Sequence, residues 1–215
     1  EKLATKYKYA VEQMKERLKR EYDGYHFGDE LIDIYNPFSI LNVFDSNRIS
    51  DYWFRTGTPT YLIRLLNHSQ ENLNELTGKF YDPSQFIDYK ADVEKPLPMI
   101  FQSGYLTIKD VDIDMNTFLL DFPNNEVKKG FVTMVASNYL KPSTDAGSWA
   151  RDVVNALKTG ELEQFRQLLT SFLADIPYSM RRKESERERE RYFHYTFYLL
   201  MRMVSVYTTY TEKQQ

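Results

Sequence analysis

Four short words in the first half of the chain each set an aromatic ring beside a backbone breaker. They are Tyr-Asp-Gly-Tyr-His-Phe (22–27), Tyr-Asn-Pro-Phe-Ser-Ile-Leu (35–41), Tyr-Trp-Phe-Arg-Thr-Gly-Thr-Pro (52–59) and Gln-Ser-Gly-Tyr-Leu-Thr-Ile (102–108). Glycine admits backbone angles closed to other residues, and proline fixes φ and removes a donor. A ring at the same corner must then find cover, so each word specifies a turn that stays packed. Such words punctuate a fold; they do not supply a catalytic group.

The rest of the composition sets limits. With 215 residues, 42% of them apolar and 27% charged, the chain has length for one large domain or two small ones. Aromatics reach 15%, with 17 Tyr and 14 Phe, which suits half-buried surfaces where a hydroxyl needs a partner. The net charge of −3 gives no overall pull towards nucleic acid, although a local basic face stays open. Cysteine is absent, which excludes disulfides, thiolate catalysis and Cys-based zinc sites. That is compatible with the cytoplasm, the expected location. The charged, helical first residues do not read as a signal peptide, and no run approaches the ~20 apolar residues of a membrane helix. A first residue Glu and the ending Thr-Glu-Lys-Gln-Gln suggest a fragment or a trimmed chain.

The periodicity predicts a mainly α protein with two small β-hairpins, an α+β helical bundle. Leu3, Tyr7, Ala10, Val11, Met14 and Leu18 mark one helix over 2–20. Tyr25–Phe27 and Leu31–Tyr35 read as a hairpin around Gly28-Asp29-Glu30. Asn36-Pro37 opens a helix to about 45, and Thr58-Pro59 opens another with Tyr61, Leu62, Leu65 and Leu66 inward. Short helices are expected at 71–78, 83–88 and 96–103. Tyr105–Lys109 and Thr117–Asp121 form the second hairpin, with a polar tip. Helices follow at 125–140, 145–158, 161–174 and 184–208, with Thr159-Gly160 as a stop between two of them.

Sequences with known chemistry are mostly missing. The eight glycines never take the spacing of a P-loop, and His26, His68 and His194 make no metal-binding pair. The three histidines read as surface or packing residues. Asp121, Glu126 and Lys128 are spaced like the Asp…Glu-x-Lys of metal-dependent nucleases, in which carboxylates hold Mg²⁺ and lysine orients water. That chemistry needs Glu and Lys on one strand. Here they follow Pro123-Asn124-Asn125, a helix start, and residues two apart on a helix diverge by about 200°. Glu126 therefore reads as a first-turn carboxylate facing the helix dipole, and Lys128 as solvated.

Three further stretches could carry contacts. The run 181–191 holds six basic and four acidic residues and reads as a solvated helix face. The stripe Phe193, Phe197, Leu200, Met201 and Val204, with Tyr192, Tyr195 and Tyr198, is wide for one helix. It is expected to be core in part and to drive self-association in part. The 105–121 hairpin between two helices could be the wing of a winged helix. Its tip carries Asp110, Asp112 and Asp114, which favours a structural or protein-contact role over DNA contact.

Taken in order, Tyr22-Asp23-Gly24-Tyr25, Tyr35-Asn36-Pro37, Tyr52-Trp53-Phe54, Gly104-Tyr105-Leu106 and Pro123-Asn124-Asn125-Glu126-Val127 resemble the carboxy-terminal part of bacterial AAA-ATPase-like proteins. In that family an ATPase region precedes a PD-(D/E)XK nuclease-like domain, whose first helix Tyr192–Leu200 resembles. The resemblance implies three segments. Residues 1–95 would be the helical end of the ATPase-like region, 96–142 a winged-helix-like connector, and 143–215 a lead into a truncated nuclease-like domain. The family's Walker motifs would precede residue 1, and its Gly-x-x-Asp and Glu-x-Lys strands would follow Gln215. Only Glu190 stands where such folds sometimes place an acidic residue.

The expected role is therefore that of a non-catalytic section coupling or positioning domains. It would have no cofactor and no metal of its own, the longer protein using ATP and Mg²⁺. Its partners would be the flanking domains, with self-association through the C-terminal helix and no membrane; nucleic acid is left open. Two alternatives stand beside it: a self-contained metal-dependent nuclease using Asp121, Glu126 and Lys128, and a helical protein- or DNA-binding adaptor.

Overall fold

The first helical stripe is interrupted where the sequence alone predicts continuity. In the computed structural model, which describes residues 1–53, 61–62, 66, 76–87, 95–140, 146–175 and 186–208, helix α1 (Lys2–Tyr7) ends at Lys8. That residue takes a left-handed conformation with φ 57°. The Tyr9 N–H then donates to the Ala4 carbonyl at 3.0 Å, the long bond that closes a helix C-terminus. Helix α2 (Val11–Tyr22) restarts at Ala10, whose N–H is capped by Gln13 Oε1 at 3.1 Å. The break lets two short helices face each other. Leu3, Ala4, Met14, Leu18 and Tyr22 form one buried cluster with Val43.

Helix α3 (Pro37–Ser46) begins as expected. Asn36 Oδ1 accepts from Ser39 N at 3.2 Å and Pro37 occupies the first turn, where a missing N–H costs nothing. The 25–35 hairpin is not formed. Tyr25 and Ile34 share a single bridge, and the backbone of His26 is held instead by the Thr107 side chain. Thr107 Oγ1 accepts from His26 N at 2.8 Å and donates to His26 O at 2.9 Å. Those bonds satisfy the segment without a second strand.

The β part is a single three-stranded antiparallel sheet in the order β1-β3-β2, with β1 Lys79–Tyr81, β2 Thr107–Asp112 and β3 Thr117–Asp121. The mainly α, α+β character thus holds, with one sheet in place of two hairpins. Strand β1 was hidden in a polar stretch with no alternation. Its pairing with β3 ties residues 79–81 to 117–121 across position 95, so both sides of that position lie in one unit. The predicted helix at 83–88 is a single 3₁₀ turn, Pro83–Gln85, opened by Asp82. At the β2–β3 tip, Asp110 Oδ1 accepts from Val111 N and Asp112 Oδ1 from Met115 N, so two of the three aspartates shape the turn. The tip is less polar than expected: Ile113 and Met115 are both exposed.

Helices α4 (Leu97–Gln102) and α5 (Asn125–Leu140) flank the β2–β3 hairpin in the expected order. The chain divides into two compact units, Glu1–Gly130 and Phe131–Gln215. In the second unit, α6 (Ala146–Thr159) packs against both α7 (Leu162–Asp175) and α8 (Glu186–Thr208). Gly160, at φ 74°, separates α6 from α7 as predicted. The Trp149 ring lies 4.5 Å from that of Phe172, and its indole N–H donates to the Leu168 carbonyl at 3.0 Å.

On α8 the buried face is Tyr195, Thr196, Leu199, Leu200, Met203 and Val204. Phe193 and Phe197, on the stripe expected to be core in part and a self-association surface in part, are 51% and 56% exposed. They lie four residues apart, on a row the packed face does not use. The helix read from Thr58-Pro59 falls largely outside the described residues, as do most of 71–78 and the run 181–185. Of its inward set, Leu62 is buried and Tyr61 is exposed.

Candidate functional site

The four aromatic words meet in the first unit, around one carboxylate. Glu126 is the second residue of α5 and is 1% exposed. Its Oε2 accepts from Ser39 Oγ at 2.6 Å, in the second word, and its Oε1 from Trp53 N at 2.9 Å, in the third. The Trp53 ring packs 4.9 Å from Tyr105, in the fourth word, and the Tyr25 hydroxyl, from the first, donates to the Gly104 carbonyl at 3.2 Å. Tyr22 pins the approach to Trp53. Its hydroxyl donates to Ser50 O at 2.9 Å and accepts from Ser50 N at 3.0 Å.

This junction has marked electrostatics. Burial holds the Glu126 carboxyl above the ordinary carboxylate range, and the bonds from Ser39 and Trp53 offset part of that. Burial also raises the phenols of Tyr22 and Tyr25, and pushes Tyr105 up to about 12. Both Glu126 oxygens are spent on protein donors. Glu126 and Lys128 stand on a helix, so the strand geometry of a Glu-x-Lys metal site is not present. Asp121 Oδ1 accepts from Phe122 N at 2.8 Å. The structure brings Asp121 and Lys128 to one cavity and leaves Glu126 out of it. Among the described residues no group of three His, Asp or Glu side chains could hold a metal ion.

That cavity, of about 340 Å³, lies between the end of α2 and the start of α5. It is lined by Lys19, Arg20, Asp23 and Gly24 on one side, and by Asp121 through Asn125 with Lys128 on the other. Its two sides are tied together from a β-bulge. The β2–β3 register shifts between Ile108 and Asp110, which turns Lys109 out of the ladder. Lys109 Nζ then donates to the Gly24 and Pro123 carbonyls, each at 2.8 Å, and burial lowers its pKa. Gly24 has φ +91°, and a Cβ there would lie 2.6 Å from Pro123 O. Only glycine fits that approach.

His26 is the residue that sequence reasoning undervalued. It is buried, with Nδ1 2.6 Å from Ile108 O and Nε2 2.8 Å from Asp33 Oδ1. The ring is thus held at both nitrogens, between a backbone carbonyl and a carboxylate. Asp33 also meets Lys19 Nζ at 2.8 Å, and Lys19 first and His26 second hold its carboxyl below the usual range. The only hint in the sequence was the position of His26 inside the first word. His194 is exposed, Glu190 is exposed, and His68 lies outside the described residues.

Among the described residues no helix is long and apolar enough to cross a membrane. No family model matches the chain, and no solved structure matches it. A protein of Azotobacter chroococcum mcd 1, named as an uncharacterized protein in the vnfD 5′ region, is 27% identical over 186 residues. Those residues are 86% of this chain and 36% of that protein, so the chain spans about a third of the length of the curated relative it matches.

Proposed function

We propose that this chain acts as a domain-positioning section of a longer protein and is catalytically silent by itself. One observation carries the reading: helix α3 presents Phe38, Leu41 and Phe44 on one side, exposed at 45%, 66% and 57%. Residues spaced by three share a helix face, and an apolar face of this kind suits a contact with another domain. The opposite side of α3 is committed inward through Ser39 and Val43. Helix α3 is thus anchored to the Glu126 junction on one side and free for docking on the other. The greater length of the Azotobacter chroococcum protein supports a flanking domain as the occupant.

On this reading the α4–β2–β3–α5 run is a winged-helix-like connector, and the longer protein is of the AAA-ATPase-like, PD-(D/E)XK nuclease-like kind, working in the cytoplasm with ATP and Mg²⁺. The nuclease alternative loses its support at Glu126, whose oxygens are bonded to Ser39 and Trp53. An adaptor role for α3 would use the same face. The test is an assay of the purified chain with DNA, ATP and Mg²⁺ or Mn²⁺. No cleavage and no turnover are expected; metal-dependent cleavage that disappears in Glu126→Gln would overturn the reading in favour of the nuclease.

A further inference from the structure

We propose that the cavity between α2 and α5 is a binding site for a small phosphate monoester that also bears hydroxyl groups. The walls hold polar groups that the protein leaves unmet. Asp23 is 5% exposed and its Oδ1 has no hydrogen-bond partner; Asn124 is 8% exposed and its Nδ2 has none. Asn125 Nδ2 and Arg20 Nε are likewise buried without a hydrogen bond, Arg20 Nε lying 3.7 Å from Glu21 Oε1. All four residues line the same cavity. A buried donor or acceptor left unmet is costly, and four around one opening point to a ligand that supplies the complement.

The character of that ligand follows from the groups. Three unmet atoms are donors, and they come from two different elements. Arg20, Lys19 and Lys128 are three cations against the carboxylates of Asp23 and Asp121, so the lining is net positive by one charge, with Lys19 already paired to Asp33 at 2.8 Å. Helix α5, of 16 residues, brings its positive N-terminal end to the same place. Asn124 is fixed there as the cap, accepting from Val127 N at 3.1 Å, which leaves its amide nitrogen as the group on offer. Lys109, bonded to the carbonyls of the lining residues Gly24 and Pro123, is desolvated, so an anion nearby would favour its charged form. Donors carried by two different elements suit a tetrahedral oxyanion better than a planar carboxylate. The unmet Asp23 Oδ1 requires a donor in the same ligand, which a hydroxyl supplies. A volume of about 340 Å³ suits a molecule of sugar-phosphate size. Such a site is compatible with a connector and does not depend on one.

The test is a titration of the full chain with ribose 5-phosphate, inorganic phosphate and gluconate, followed by ¹⁵N-resolved NMR of the side-chain amides. Ribose 5-phosphate is expected to bind saturably, shifting the Asn124 and Asn125 amide signals, and gluconate about tenfold more weakly. Arg20→Gln should weaken ribose 5-phosphate and inorganic phosphate alike by about tenfold or more. Asp23→Asn should weaken ribose 5-phosphate and spare inorganic phosphate. The NMR signals of the unaltered chain keep the test decisive if a variant fails to fold. Saturation with no change at Asn124 and Asn125, no saturation up to about 10 mM, or tighter binding of gluconate would each overturn the proposal.

Discussion

The Ser39 hydroxyl donates to the Glu126 carboxylate at 2.6 Å across 87 residues of sequence, and Trp53 N–H donates to the other oxygen at 2.9 Å. Truncating that carboxylate takes the acceptor from both bonds, one buried at Ser39 and one half-buried at Trp53. Glu126→Ala is expected to destabilise the chain by about 2–4 kcal/mol. Glu126→Gln keeps an acceptor for Trp53 N–H and offers an amide to a reoriented Ser39 hydroxyl, so it should cost about 1 kcal/mol or less. Urea unfolding of the two variants measures the difference; equal losses would show that the site senses the charge rather than these two bonds.

The same carboxylate gives a pH signature. Its pKa in the folded chain is raised, chiefly by burial, so the folded state holds the proton more tightly than the unfolded state does. The resulting stabilisation is fully present below the ordinary carboxylate pKa. It is lost as pH rises from there through the higher folded value. Unfolding midpoints taken at rising pH should fall across that window in the unaltered chain, relative to Glu126→Gln, which lacks the group. A difference between the two that is independent of pH would refute the assignment.

Two glycines four residues apart should behave oppositely. At Gly24 a methyl group would stand 2.6 Å from Pro123 O and 3.0 Å from Lys109 Nζ, on a backbone with φ +91°. Gly24→Ala is expected to cost at least about 2 kcal/mol. At Gly28 nothing lies within 4 Å and no positive φ is required. Gly28→Ala should fall within about 0.5 kcal/mol of neutral, or stabilise slightly by restricting the unfolded chain. Thermal unfolding of both variants decides the matter.

Much of the helical plan could be read directly, because caps and stops are local. Asn36-Pro37 fixed the start of α3, and Gly160 the gap between α6 and α7, through groups at most a few residues away. Strand β1 could not be read, since Lys79–Tyr81 is held by its pairing with Leu120, Leu119 and Phe118 some forty residues on. The break at Lys8 was equally silent, as lysine gives no turn signal and the apolar stripe runs straight through it. The words were legible as corners, but their meeting at Glu126 was not. That meeting depends on Ser39, Trp53 and Glu126 being brought together by tertiary packing. The cavity was missed for the same reason, being built from α2 and the 121–128 stretch.

The exposed pair on α8 bears on association. Phe193 and Phe197 present two rings to solvent, four residues apart. Sedimentation of the chain at increasing concentration should show self-association that Phe193→Glu with Phe197→Glu reduces. The same pair should leave the unfolding midpoint nearly unchanged, because neither ring is buried. A chain that stays monomeric before the substitution removes α8 as a self-association surface.

Lys8 offers a change in the stabilising direction. It closes α1 at φ 57° and ψ 38°, a conformation in which a Cβ crowds the backbone and which glycine adopts freely. The bonds that depend on this geometry, Tyr9 N–H to Ala4 O at 3.0 Å and Lys8 N–H to Thr5 O at 3.2 Å, use only the backbone. Glycine would therefore keep both while removing the strain. Against that stands the extra freedom glycine gives the unfolded chain, which offsets part of the gain. Lys8→Gly is expected to stabilise by about 0.5–1 kcal/mol, as glycine does at helix C-termini of this type. Lys8→Val should destabilise, since a β-branched residue tolerates positive φ worst. The order Gly, Lys, Val in unfolding midpoint is the expected result. A reversed order would mean that α1 and α2 run on as one helix in solution, as the apolar stripe from Leu3 to Leu18 suggests in isolation.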